Sequence, residues 1–135
     1  MTMQQSRLSA PPGWEGSLPE YLVYRSLTES FGKIEGVDFT YQSSLLGGRL
    51  FKGGVVLDFL FNDPPDLAIN VQGEYYHYGM GVTFLQNDIL VRQQMAGDGI
   101  NLIFIDENDI LNDVDYYVRE ALNYKDHSRL GIGGR

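Results

Sequence analysis

Residues 55–77 read VVLDFLFNDPPDLAINVQGEYYH, and this segment decides the fold. Two apolar runs flank a turn at residues 62–66, where two consecutive prolines exclude a central strand. We therefore expect the two runs to form strands that pair as a hairpin. The first run carries one acid, Asp58, in its middle, and the second run stops at a polar cluster. Such a hairpin presents polar side chains, which are suitable ligands for a metal ion, at one end.

A helix is expected before the hairpin, from Ser17 to about Phe31. Ser17 and Glu20 have the spacing of a capping box, and Pro19 suits the first helical turn. Apolar residues then recur at spacings of three and four, which predicts one buried face, and Gly32 is a natural stop. Short strands are expected at residues 39–42 and 49–51. Trp14 is expected to anchor the arm that precedes the helix.

The chain after the hairpin is expected to continue as helix, strand and helix. The predicted helix runs from residue 82 to about residue 96, and a buried strand follows at 101–105. Asp106 is expected to cap the next segment, and a final amphipathic helix is predicted at 114–124. This order of elements predicts an α/β sandwich with a mixed sheet.

The length of 135 residues suits one core of ordinary size. We expect a single domain at residues 17–126, between an N-terminal arm at 1–16 and a C-terminal tail at 127–135. The absence of cysteine excludes disulfides and thiolate zinc sites. No apolar run approaches the roughly 18 residues that span a bilayer, and the first residues do not resemble a signal peptide. A soluble, unsecreted protein without a membrane partner is therefore expected.

The net charge of −8 argues against general affinity for nucleic acids, because phosphate binding needs clustered lysine and arginine. The charge is uneven. Residues 1–57 hold five of the 10 basic and five of the 18 acidic side chains, so residues 58–135 hold the other five basic and thirteen acidic ones. A surface that binds DNA should therefore use the first part of the chain, with Arg92 added from the second. The candidates are Arg25, Lys33, Arg49, Lys52 and Arg92, of which Arg49, Lys52 and Arg92 are expected to line the approach to Asp58.

Three residues are candidates for the chemistry, and each has a simpler explanation. A carboxylate such as Asp58 in a buried strand is costly unless a cation or hydrogen-bond donors compensate it. A magnesium ion is one compensation, since Mg²⁺ is held by one or two carboxylates with carbonyls and waters; a cap on a loop amide is the other. His77 lies among tyrosines and could be a packed, hydrogen-bonded residue instead of a catalytic one. Glu20 is explained by the capping box alone, unless the start of the helix faces the hairpin.

Several short motifs share the order and spacing of a known nuclease family. They are residues 17–20 (SLPE) at a helix start, 41–42 (YQ), 56–59 (VLDF), 71–77 (VQGEYYH), Asp88 and Arg92 in a helix, and Gly99 with 102–106 (LIFID). Over residues 17–112 the set resembles the very short patch repair endonuclease branch of the PD-(D/E)XK nuclease superfamily. The most specific part is 72–77, which resembles the signature of that branch. The resemblance implies a restriction-endonuclease-like sandwich, in which helices flank a central mixed β-sheet.

The resemblance also implies a role for each matching residue. Asp58 would bind Mg²⁺ or Mn²⁺, the carbonyl of Val71 would be a second ligand, and Glu20 would bind a second ion or its water shell. His77 would be a general acid or base near the scissile phosphate. The chain departs from the family at Asn70 and Gln72, where relatives carry acids or a histidine, and no lysine is nearby. Amides cannot abstract a proton at neutral pH, and they bind Mg²⁺ more weakly than carboxylates.

Two functions follow from these observations. The first, which we favour, is a metal-dependent DNA endonuclease from a phage or mobile element, with Asp58, His77, Glu20 and Gln72 in its site. The second is a catalytically silent protein with the nuclease fold that binds protein partners in a larger assembly, and a homo-oligomer is a further option. The first function predicts a protein in the cytoplasm of a host cell, and the second is also consistent with a protein bound to a virion. Net acidity and the amides at 70 and 72 favour the second function.

Overall fold

The computed structural model describes residues 9–42, 57–73 and 82–129, with the side chains of 82–89 excepted. The strand predicted at 49–51 lies outside these residues. The described elements are, in chain order, α1 (Leu18–Arg25), a π-helical turn (Ser26–Ser30), β1 (Phe39–Tyr41), β2 (Phe59–Phe61), β3 (Leu67–Gln72), α2 (Val82–Gly97), β4 (Asn101–Asp106) and α3 (Glu107–Leu122).

The described strands form one mixed sheet in the order β1, β2, β3, β4. The first three strands are successively antiparallel, and β4 pairs parallel to β3 after the crossover through α2. Helices cover both faces, so the predicted α/β class with a mixed sheet is confirmed. The described helices include none long and apolar enough to cross a membrane.

Helix α1 begins at the predicted capping box. The Glu20 amide donates to Ser17 Oγ at 3.2 Å, and the Ser17 amide donates to Glu20 Oε1 at 2.8 Å. The helix passes into the π-helical turn, and the chain leaves it at Gly32, whose φ of +66° favours glycine. The Oγ of Ser26 in this turn donates to Asp115 Oδ1 of α3 at 2.6 Å. The expected helix is therefore confirmed, with its second half wound more widely than an α-helix.

The arm before α1 is held by Trp14, as expected from the sequence. Its ring stacks on Tyr41 with centroids 4.8 Å apart and planes at 16°. It also meets the edges of Tyr21 and Tyr24, each with centroids 5.2 Å apart. Aromatic pairs of this kind stabilise a contact beyond the area that they bury. The arm is thus fixed against the start of α1 and the end of β1.

Two hydrophobic cores lie on opposite faces of the sheet. The larger joins α1 and α3 to the sheet, with Leu22, Ile69 and Val118 as fully buried members. The smaller joins α2 to the sheet through Met95, which packs with Phe104 of β4. Strand β3 contributes alternate residues to the two cores, which explains its nearly continuous apolar sequence.

Two boundaries differ from the sequence prediction. The first strand of the hairpin was expected at residues 55–61, but within the described residues β2 begins at Phe59, because Asp58 bonds to β3 through side chains. The last helix was expected at 114–124, but α3 begins at Glu107. A non-helical backbone at Asp113, with φ −161° and ψ 80°, divides it, so the second part begins where the sequence predicted the helix. The first part is held by packing of the buried Ile110, which propensity alone does not reveal.

Candidate functional site

Asp58 lies where β2 stops pairing with β3. Phe59, the first residue of β2, is paired with Ile69, and Asp58 immediately precedes it in the chain. Its side chain is almost fully buried, with 1% exposure, and its Oδ2 atom accepts the Val71 amide at 2.8 Å. In a continued antiparallel ladder, a main-chain carbonyl of β2 would accept that amide. The carboxylate of Asp58 takes its place, so the sheet is held together here by a side chain.

A second side chain closes the same gap from the other strand. The Asp58 amide donates to Asn70 Oδ1 at 2.8 Å, and the Asp58 carbonyl accepts the Gln42 amide at 3.0 Å. The residue is therefore fixed to β3 on one side and to the end of β1 on the other. In a regular strand such as β3, the N–H and C=O of one residue point to the same side, and those of the next residue point to the opposite side. Because the Val71 amide faces Asp58, its carbonyl lies on that side of β3 as well.

Gln72 is fully buried at the end of β3 and is aligned with Asp106 of β4. Its side chain follows the alternation of the strand and lies on the opposite face from Val71. The Glu107 Oε1 atom lies 3.5 Å from the place that a Cβ on Gly73 would take. Polar groups from β2, β3, β4 and the start of α3 therefore share one end of the sheet.

Glu20 is buried at the start of α1, and that start faces the same end of the sheet. Besides its bond within the capping box, Glu20 Oε1 lies 3.3 Å from the Tyr41 hydroxyl, which also donates to the Glu15 carbonyl at 3.0 Å. Tyr41 is the β1 partner of Phe59, the residue next to Asp58. Glu20 therefore contacts the side chain of Tyr41, and Tyr41 is paired with the residue that follows Asp58.

Arg92 lies at the other side of the sheet. Its guanidinium carbon is 5.0 Å from the centroid of the Phe104 ring, and its Nη2 atom is 3.5 Å from Asp126 Oδ2. Phe104 lies on β4 and Asp126 accepts its amide, so Arg92 lies two strands away from β2. The structure thus brings Asp58, Asn70 and Val71 together, whereas it does not bring Arg92 to them.

The remaining predicted site residues, His77, Arg49 and Lys52, lie outside the described residues. Within 9–42, 57–73 and 90–129, no three histidine, aspartate or glutamate side chains are grouped so that they could hold a metal ion together. Asp58 supplies one carboxylate at this end of the sheet, and Mg²⁺ is usually bound through one or two carboxylates together with waters and substrate phosphates.

The sequence interpretation missed a group of polar contacts at the edge of β4. Asp126 is buried, and its Oδ2 accepts the Phe104 amide at 2.9 Å while its Oδ1 accepts the Ser128 amide at 2.9 Å. Asp106 was expected to cap α3, but its side chain makes no cap bond and its Oδ2 instead accepts the Arg129 amide at 3.1 Å. For the bond between Asp126 and Ser128 the sequence does carry a signal, because an acid two residues before a serine is typical of a turn closed by a side chain.

Comparison of the chain with protein-family models, with curated proteins and with solved structures gave no significant match.

Proposed function

We propose that this protein is a metal-dependent DNA endonuclease whose ion is held at Asp58. The observation that carries the proposal is the position of Asp58, a buried carboxylate at the point where β2 leaves β3. A carboxylate there faces the backbone of Val71, as the resemblance to the PD-(D/E)XK nucleases implies. The order of helices and strands also agrees with the sandwich that this resemblance implies.

Asp58 and the Val71 carbonyl would hold the ion, which would polarise a phosphate and lower the pKa of a bound water. Within this proposal, Asp58 supplies the negative charge, and the bond from the Val71 amide orients its carboxylate. Glu20 keeps the start of α1 against β1 through Tyr41 and adds a second carboxylate at that end of the sheet. His77 keeps the role that the resemblance implies, as a proton donor or acceptor, and Gln72 belongs to the site as an amide at a position where relatives carry an acid or a histidine.

A plasmid assay tests this function. Supercoiled DNA is incubated with the purified chain and Mg²⁺ or Mn²⁺, and the appearance of nicked or linear DNA is measured. We expect cleavage by the wild type and none by Asp58→Asn, since asparagine keeps the shape but removes the charge. Asp98→Asn, at an exposed acid beyond α2, is the matched control and should cleave as the wild type does. Cleavage by Asp58→Asn at the wild-type rate would exclude Asp58 from the chemistry.

A second function is supported by the partners that the acids already have. The Asp58 carboxylate accepts the Val71 amide, and the Glu20 carboxylate accepts the Ser17 amide, so both have structural duties without an ion. With a net charge of −8, the chain also disfavours contact with phosphates. These observations favour a silent subunit that binds protein partners in an assembly. Purification with a protein partner, together with no binding to labelled duplex at low salt, would support this function over the first.

A further inference from the structure

Asn70 occupies the position at which the nuclease family carries an acid, and its side chain is engaged within the hairpin. Its Oδ1 atom accepts the Asp58 amide at 2.8 Å. A strand amide is ordinarily accepted by a main-chain carbonyl of the neighbouring strand. Here the side-chain carbonyl of Asn70 is the acceptor for the Asp58 amide. In the same way, the Asp58 carboxylate is the acceptor for the Val71 amide.

These two bonds form a closed ring between the strands. One runs from the Asp58 main chain to the Asn70 side chain, and the other runs from the Val71 main chain to the Asp58 side chain. Asn70 and Val71 are consecutive in β3, so the ring fixes both the backbone and the carboxylate of Asp58. Loss of either bond frees the end of β2 from β3 and allows the carboxylate to move.

We propose that Asn70 is a positioning residue that holds Asp58 against β3, and that this is its task in place of binding the metal. The proposal deepens the endonuclease function above and rests on it. It also explains why an amide is suited to this position, since it accepts the Asp58 amide without a second negative charge beside a buried carboxylate. An aspartate would keep the acceptor and add that charge, whereas an alanine would remove the acceptor.

Amide hydrogen exchange, followed by NMR, tests the bond directly. In Asn70→Ala the Asp58 amide should exchange about three to ten times faster, relative to the Leu60 amide. This factor corresponds to the net free energy of one hydrogen bond. In Asn70→Asp this ratio should stay at the wild-type value. Asn101→Ala is the matched control, because Asn101 lies on β4 and its Nδ2 donates to the Asp66 carbonyl at 3.3 Å. If Asn70→Ala does not fold, Asn70→Ser replaces it, since a serine hydroxyl is too short to reach the amide.

A kinetic measurement separates positioning from general loss of structure. Asn70→Ala should lower kcat for DNA cleavage at least tenfold with KM unchanged within about twofold, since the loss of a positioning contact acts on the catalytic step and leaves substrate binding unchanged. Asn70→Asp keeps the acceptor for the Asp58 amide, so its kcat should fall less than that of Asn70→Ala. If the wild type cleaves no DNA, the endonuclease function fails, while the exchange experiment still decides the role of Asn70. An unchanged Asp58 exchange ratio in Asn70→Ala, or full kcat in a variant with a freed Asp58 amide, would overturn the proposal.

Discussion

The carboxylate of Asp58 accepts the amide of Val71 at 2.8 Å, across the point where two strands of the hairpin stop pairing. A buried acid in a sheet is costly, and a main-chain donor offsets part of that cost. The same bond orients the carboxylate toward the strand whose carbonyl could share an ion with it. The structural role of Asp58 and its proposed role as a metal ligand therefore fall on one side chain, and substitutions can separate them.

Two substitutions of Asp58 should differ in their effect on the free energy of unfolding when no metal is present. Asp58→Ala leaves the buried Val71 amide without an acceptor and should lower the free energy of unfolding by about 1–3 kcal/mol. Asp58→Asn keeps an oxygen acceptor and removes a buried charge, so it should change stability by less than about 1 kcal/mol or increase it. Urea unfolding of the metal-free proteins measures both. Equal losses in the two variants would show that the charge itself, and not the acceptor, stabilises the hairpin.

The edge of β4 should depend on Asp126. This buried carboxylate accepts the amides of Phe104 and Ser128, and it lies 3.5 Å from the Arg92 guanidinium. Asp126→Ala should lower the free energy of unfolding by about 2–4 kcal/mol, because it leaves buried donors and part of a guanidinium uncompensated. Asp98→Ala, at an exposed acid, should stay within about 0.5 kcal/mol of the wild type. A loss at Asp126 no larger than that at Asp98 would mean that solvent replaces the carboxylate at this edge.

Docking of the arm should depend on Gly16. Its φ is +143°, and a Cβ there would overlap the Tyr41 hydroxyl and lie 2.8 Å from Glu20 Oε1. Gly13 also has a positive φ, +88°, but no atom lies within 4 Å of a Cβ built on it. Both alanine variants carry backbone strain of about 1 kcal/mol or more, and Gly16→Ala should lose at least about 1 kcal/mol beyond Gly13→Ala. Thermal melts of the pair measure the difference, and equal losses would be inconsistent with a tightly docked arm.

The Tyr24 hydroxyl should lose its proton at a higher pH than an ordinary tyrosine does. Its hydroxyl donates to Glu35 at 2.7 Å, and this bond, followed by burial and by the negative charge of Glu35, raises the pKa of Tyr24 from 10.0 to about 12. The folded protein therefore holds the phenol proton more tightly than the unfolded chain does. The resulting stabilisation is complete below pH 10 and is lost as the pH rises toward 12.

Absorbance titration of the phenolates, with Tyr24→Phe to identify the signal, measures this pKa. Glu35→Gln removes the charged acceptor and should bring the pKa of Tyr24 back toward 10. A pKa of Tyr24 that is the same in the wild type and in Glu35→Gln would contradict the stated cause.

Local patterns in the sequence were sufficient for much of the fold. The capping box at Ser17 and Glu20, the strand at 67–72 and the helix that begins at Val82 all follow from caps and periodicity, and each is present in the structure. These features depend on residues close together in the chain. The pairing of the two hairpin strands across the turn at 62–66 was likewise expected from chain order and is observed.

Contacts between distant residues could not be predicted in the same way. The bond from the Phe104 amide to Asp126 joins residues 22 positions apart, and no periodic pattern marks either one for it. The early start of α3 also depends on the burial of Ile110 beneath the sheet, which is a tertiary effect. At the candidate site, the sequence indicated that Asp58 and Val71 would meet. It did not indicate that Asn70 would close the gap between the strands.

The central claim, that Asp58 holds a divalent ion, is tested most directly by titrating the isotope-labelled protein with Mn²⁺ and recording its amide NMR signals. Paramagnetic Mn²⁺ broadens the signals of nearby amides, so the measurement locates the ion and does not depend on the DNA sequence that is cleaved. We predict that the Asp58 and Val71 signals broaden first, that excess Mg²⁺ restores them, and that Asp58→Asn abolishes the effect. Broadening spread over the exposed acids, with the Asp58 signal unchanged or with the same pattern in Asp58→Asn, would contradict the claim.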